Sequence, residues 1–139
     1  MGRREVIKYR KSKIKLILPL PPSVNNCFAT NFKTKRRFKS KAYTKWIKAS
    51  LKAVQGQTLP YWPKGCLRVE LAIAKPLNKD NTETKRKMDL DNRVKPIFDF
   101  MTQVQVWGDD SQVEHLTVYW DRSKTFEGVQ VKIKGAVDE

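Results

Sequence analysis

The chain has 139 residues, enough for one domain with a sizeable core, and 40% of them are hydrophobic, with four Trp, four Tyr and six Phe. That content excludes intrinsic disorder. Against 14 Asp plus Glu stand 29 Lys plus Arg, a net charge of +15, so polyanions lead the field of partners, nucleic acid ahead of a membrane surface. No basic amphipathic helix offers a lipid-facing stripe, and no apolar run approaches the ~20 residues of a membrane span.

Residues 1–13, "MGRREVIKYRKSK", read as a basic N-terminal arm, and residues 14–139 as a single domain. The apolar stretch "IKLILPLPP" after the arm is too short for a secretory signal. Within "KIKLILPL", Ile14, Leu16 and Leu18 alternate as in a strand, which stops at "PLPPSVNN", where Pro19, Pro21, Pro22, Asn25 and Asn26 supply turn chemistry. "CFATNFKTKRRFKS" reads as a polar basic loop. Ser40 can cap the helix that follows, "KAYTKWIKASLKAVQ", whose Tyr43, Trp46, Ile47, Leu51 and Val54 recur at helical spacing as one buried stripe.

After the breakers of "GQTLPYWPKG", Leu67, Val69, Leu71 and Ile73 alternate as a second strand. A long polar loop, "PLNKDNTETKRK", leads to a second helix from about Asp91 to Val106, with Val94, Ile97, Phe98, Met101 and Val104 as its core face. Pro96 is tolerable there if it falls near the end of the first turn. "WGDDSQ" is a turn, and "VEHLTVYW" and "GVQVKIK" predict an antiparallel hairpin through "DRSKTFEG". The order strand, helix, strand, helix, strand, strand describes an α/β fold: a two-layer domain with a mixed sheet.

Cys27 and Cys66 have no CxxC spacing and no His partner, and read as reduced thiols of a cytoplasmic protein rather than as a disulfide. The one histidine, His115, leaves no room for a His-rich zinc site and argues against His-based acid–base chemistry.

The stretch that asks for an explanation is "KRKMDLDNRVKPIFDF". In so basic a chain, Asp89 and Asp91 stand one residue apart behind three cations, pointing the same way if the backbone there is extended. Lys95 and Asp99 follow at helical spacing, and a second acidic pair, Asp109 and Asp110, ends the helix. The pairs meet only if the turn folds back, or if a second subunit supplies one of them. Two carboxylates ~4 Å apart repel by about 4 kcal/mol at an effective dielectric of roughly 20, so a converged set needs protonation or a hard cation. Oxygen-only ligands suit Mg²⁺, or Mn²⁺, rather than zinc. A water activated by such an ion can attack phosphorus while the cations hold the backbone.

"DLDNRVKPIFDFM" followed by "WGDDSQVEHLTV" resembles the signature of the RusA family of Holliday-junction resolvases: D-x-D-N-x-x-K, then an acidic pair before a strand. "LPLPPSVNN" and "SKAYTKWIKA" resemble the family's first-strand ending and first helix, so the resemblance runs from about Ile14 to Ile133. It implies a Mg²⁺-dependent endodeoxyribonuclease, an intertwined homodimer that resolves four-way junction DNA by paired symmetric nicks in recombination and repair. It implies no small-molecule cofactor beyond the metal. Carried over by position, Asp89, Asp91 and Asp110 would be the metal ligands and, with Lys95, the catalytic set. The loop from 76 to 87 is longer than the family pattern and its basic run only "KRK", while the segment from 33 to 41 is heavily basic. DNA contact is therefore expected from Lys33, Lys35, Arg36, Arg37 and Lys39, with Phe32 and Phe38 interleaved, and from Lys85, Arg86 and Lys87.

Each residue also has a plainer role available. Asp89 and Asp91 suit helix capping, Lys95 an i,i+4 pair, Asp110 a turn, and charge runs are often solvated faces. Asp109 is expected to serve the turn, Asp99 to partner Lys95, Asn92 to cap, and Trp46 to lie in the core. The competing function is a non-catalytic basic DNA- or RNA-binding protein. A phosphotransferase or glycosyltransferase DxD ranks last, because "KRKM" rather than an apolar strand precedes Asp89.

Overall fold

A computed structural model describes residues 14–84 and 88–135. The expected basic arm, Lys85, Arg86 and Lys87 lie outside the described residues. Six strands and two helices follow in the order β1 (Ile14–Leu18), β2 (Phe28–Thr30), β3 (Arg37–Lys39), α1 (Lys41–Val54), β4 (Leu67–Ala74), α2 (Val94–Gln103), β5 (Val113–Asp121) and β6 (Val129–Gly135). The architecture is mixed α/β, as expected.

The main sheet has the order β1-β6-β4-β5. β6 pairs antiparallel with β1 (Leu16↔Val131) and with β4 (Leu71↔Val131), while β5 runs parallel to β4 (Val69↔Leu116). The expected β5–β6 hairpin is therefore wrong. β6 buries Val129, Val131, Ile133 and Gly135 in strict alternation, a pattern for the sheet's middle. β5 is exposed or half-exposed along its whole length, a pattern for an edge. The chain between them passes around the end of β4, held by Ala74 N–H donating to Gly128 O (2.9 Å) and Lys75 N–H donating to Asp121 O (2.9 Å). Gly128 has φ +84°, and a Cβ there would lie 2.1 Å from the Leu18 carbonyl oxygen, so only glycine fits this crossing.

Alternation places Leu16, Leu18, Leu67, Val69, Leu71, Ile73, Val129, Val131 and Ile133 on one sheet face, where α1 and α2 cover them. Each such side chain contributes about 1.5–3 kcal/mol on burial. Ser40 Oγ accepts from Tyr43 N–H at 3.1 Å and starts α1 as expected. Its buried residues are Tyr43, Trp46, Ser50 and Val54, whereas Leu51, expected in the stripe, is exposed. Ser50 lies four residues from both Trp46 and Val54, on the line the helix buries; Leu51 falls to its edge. Trp46 is a core residue, as expected, its ring edge-on to Phe100 of α2 and its Nε1 donating to Pro19 O at 2.7 Å.

α2 is shorter than the pattern predicts. Pro96 has no N–H to donate to the carbonyl of Asn92, so Asp91–Arg93 tightens into a 3-10 turn and the α-helix starts at Val94. Pro96 then occupies the first turn, where it is tolerated. At the other end Gln105 turns left-handed (φ +60°), and Val106 N–H reaches back to Met101 O at 3.0 Å, closing the helix at Gln103. Phe100, not the half-buried Phe98, joins Ile97 and Met101 as fully buried.

The segment from Phe28 to Lys39 is not a plain loop. β2 and β3 pair antiparallel, Phe28 opposite Lys39 and Thr30 opposite Arg37, and form a separate two-stranded hairpin.

Candidate active site

The turn before β5 is built first, because it holds an acid in place. Asp109 Oδ1 accepts from Ser111 N–H (2.9 Å), while Gln112 Oε1 accepts from the N–H groups of Gly108 (2.8 Å) and Asp109 (2.9 Å), a capping box. Gln112 Nε2 donates to Trp62 O (2.9 Å) and Gly65 O (3.1 Å), and Trp62 N–H donates to Val106 O (2.9 Å). The connection from α1 to β4 around Trp62 thus straps the turn. Asp109 is a turn residue, as expected, and the hydrogen bonds from Ser111 hold its carboxyl below the usual range. Asp110 is left to project outward. Reading "DDSQ" as Asp-x-x-Gln would have revealed this box; the role of Trp62 has no local signal.

Lys95, on the first turn of α2, meets it. Lys95 Nζ lies 2.9 Å from Asp99 Oδ1 and 3.3 Å from Asp110 Oδ2. The hydrogen bond with Asp99 raises the lysine pKa; desolvation opposes it and Asp110 adds to the rise, so the net shift is upward and the ammonium stays charged. Asp99 is its helical partner, as expected. Burial foremost, and the Asp99 charge next, push up the Tyr43 phenol and the Cys27 thiol. At the root of the basic hairpin Phe28 packs edge-on against Tyr43 at 5.5 Å. Both cysteines are free thiols, as expected.

Asp89 and Asp91 sit at the entrance of α2. Asp89 Oδ2 accepts from Asn92 Nδ2 at 3.3 Å, which is a partnership rather than a backbone cap. Asp91 opens the 3-10 turn, and no side-chain cap bond forms there. Arg93 Nη1 donates to Pro21 O, tying this turn to the proline-rich segment that Trp46 holds from the other side. "PLPPSVNN" thereby becomes a brace for the acidic turn, with a 3-10 turn at Val24–Asn26.

The donors are all carboxylate oxygens, a chemistry that suits Mg²⁺ in type. Their placement is looser: among the described residues no three acidic, His or Cys side chains are grouped to hold a metal ion. Lys95 gathers Asp99 and Asp110; Asp89 pairs with Asn92. Of the expected DNA-contacting residues, Lys33, Lys35 and Arg36 are exposed at the hairpin tip. Arg37 lies 3.9 Å over the Phe28 ring and Lys39 5.9 Å from the Tyr43 ring centre, both still exposed. A cleft of about 860 Å³ lies elsewhere, between the loop after β4 and the β5–β6 connection, and Asp89, Asp91, Lys95 and Asp110 do not line it. No described helix is long and apolar enough to cross a membrane.

An open surface bearing carboxylates and a charged lysine, flanked by cations, has the make-up expected of a protein that acts on a phosphodiester polymer. The model of the family described as Endodeoxyribonuclease RusA matches residues 19–134, and the chain belongs to that family of Holliday-junction resolvases. No curated protein matches the chain.

Proposed function

We propose that this protein is a Mg²⁺-dependent endonuclease that resolves four-way DNA junctions by paired, symmetric nicks during recombination and repair. The observation that carries this reading is the Lys95–Asp99–Asp110 cluster at α2, whose entrance carries the Asp89–Asn92 pair, in a RusA-family chain that also bears a cationic hairpin. Asp89, Asp91 and Asp110 are the residues to hold the ion, Mn²⁺ being an alternative to Mg²⁺. Mg²⁺ binds through a few carboxylates plus substrate phosphate, so these three acids would share the ion with bound DNA. The bound ion supplies Lewis acidity toward phosphate and water. Lys95 stays protonated and stabilises the charge that grows on the scissile phosphate. Asp99 and the capped turn aim it.

Paired nicks require two sites, and a two-fold homodimer matches the symmetry of the junction. Among the described residues β5 is one of the two edge strands of the sheet, a surface that such a partner could extend. Family analogy gives 5′-phosphate products that a ligase can seal. Free thiols and a DNA substrate support a cytoplasmic location.

Cleavage of synthetic four-way junctions and of linear duplex, each in Mg²⁺ and in chelator, tests the reading. We expect Mg²⁺-dependent nicks in opposed strands of the junction alone. Tight binding without cleavage of any branched substrate would favour the non-catalytic nucleic-acid binder instead.

A further inference from the structure

Phe32 is 94% exposed, although phenylalanine is among the residues most often buried. Its place is not a slack loop. Asn31 Oδ1 accepts from Lys33 N–H (2.9 Å) and Thr34 N–H (3.2 Å), Asn31 N–H donates to Arg36 O (2.9 Å), and Lys35 N–H donates to Asn31 O (2.7 Å). Lys35 takes the left-handed conformation (φ +57°) that completes the turn. The root is fixed as well, by Ser40 N–H donating to Cys27 O (2.9 Å), Ser40 Oγ donating to Asn26 O (2.7 Å) and the Phe28–Tyr43 ring contact. Among the described residues Phe32 makes no ring contact. A hydrogen-bonded turn thus presents an exposed aromatic ring on the same tip as Lys33, Lys35 and Arg36.

We infer that Phe32 is a base-stacking residue whose ring docks on the face of a nucleobase at the branch point of a bound junction, giving the protein its preference for branched over linear DNA. The inference rests on the junction reading above. Cations that share the tip with the ring bind phosphates, which brings the ring within reach of the bases. In continuous duplex both faces of each base are covered by neighbours, and a wedge must first unstack them. At a branch point base pairs end and faces are open. Phosphate contacts position a protein on DNA without touching the bases, so a contact with an open base face adds a distinction they do not supply. A second copy of the chain is disfavoured as occupant, since the cationic tip would meet another surface of a protein with net charge +15.

The test measures binding of the full chain, in chelator to prevent cleavage, to a four-way junction, to linear duplex, and to the junction with abasic residues at the branch point. Phe32→Ala is expected to weaken junction binding by about tenfold and leave linear duplex within about twofold; Phe32→Trp is expected to keep the wild-type preference. The abasic junction should bring wild type down to the level of Phe32→Ala, with no further loss in the variant, because the partner of the ring is already gone. The slope of affinity against salt should stay unchanged. Phe32→Ala with wild-type junction affinity, an equal loss on both DNAs, or a change of oligomeric state would overturn the inference while wild-type cleavage of junctions kept the functional reading intact. Wild type with no preference for junctions would remove both.

Discussion

Lys95 Nζ stands 3.3 Å from Asp110 Oδ2, so an ammonium on α2 closes onto an acid that lies beyond the end of the same helix. The contact depends on the turn folding back, and the capping box of Asp109 and Gln112 keeps it folded. Lys95→Met removes the one cation of this cluster while roughly keeping its length. If the charge acts on the transition state, kcat falls by about 10²–10³-fold with KM little changed. Single-turnover cleavage of a four-way junction measures the split; a change in KM alone would reduce Lys95 to a binding residue.

Asp91→Asn keeps the shape of the 3-10 turn and removes a negative charge. Cleavage should fall by more than about 100-fold, beyond what outer-sphere partners of a metal cost, while junction binding in chelator holds or tightens. A gel-shift titration beside the cleavage assay reads both. Joint loss of binding and cleavage would point to a folding role for Asp91.

The raised pKa of Lys95 has a definite sign. The folded protein holds this proton more tightly than the unfolded chain, so the stabilisation from the pairing is complete below the ordinary value of 10.5 and is lost as pH rises through the elevated folded value. Lys95 therefore imposes no fall in cleavage between neutral pH and about pH 10. Asp99→Asn removes the largest cause of the rise, and NMR titration of the lysine side chain should show its pKa drop toward the ordinary value. An unchanged titration would mean that Asp110 alone holds the ammonium.

Gly128→Ala should destabilise the fold by about 1–3 kcal/mol, since alanine must enter a left-handed conformation and its Cβ would press the Leu18 carbonyl. Urea unfolding measures this. Wild-type stability would show that the crossing around β4 relaxes freely.

Much of the molecule is written in local pattern. Alternation of Leu67 to Ile73 and the Ser40 cap each depend on neighbours a few residues away, and each is found where pattern predicts. The DLDN–Lys–DD spacing is just as local and legible in the letters alone. Those same letters identify the family. Strand partnership is different in kind. β5 and β6 are adjacent in sequence, and only their burial in three dimensions separates them: β6 must lie between β1 and β4 to hide Val129, Val131 and Ile133, which leaves β5 at the edge. The reach of Lys95 to Asp110, the strap from Trp62, the brace of Pro19 and Pro21 and the hairpin that presents Phe32 likewise join positions with no local signal for one another. A side chain's type and spacing suffice to name its chemistry, but its partner is set by the packing of the whole core, which no short stretch contains.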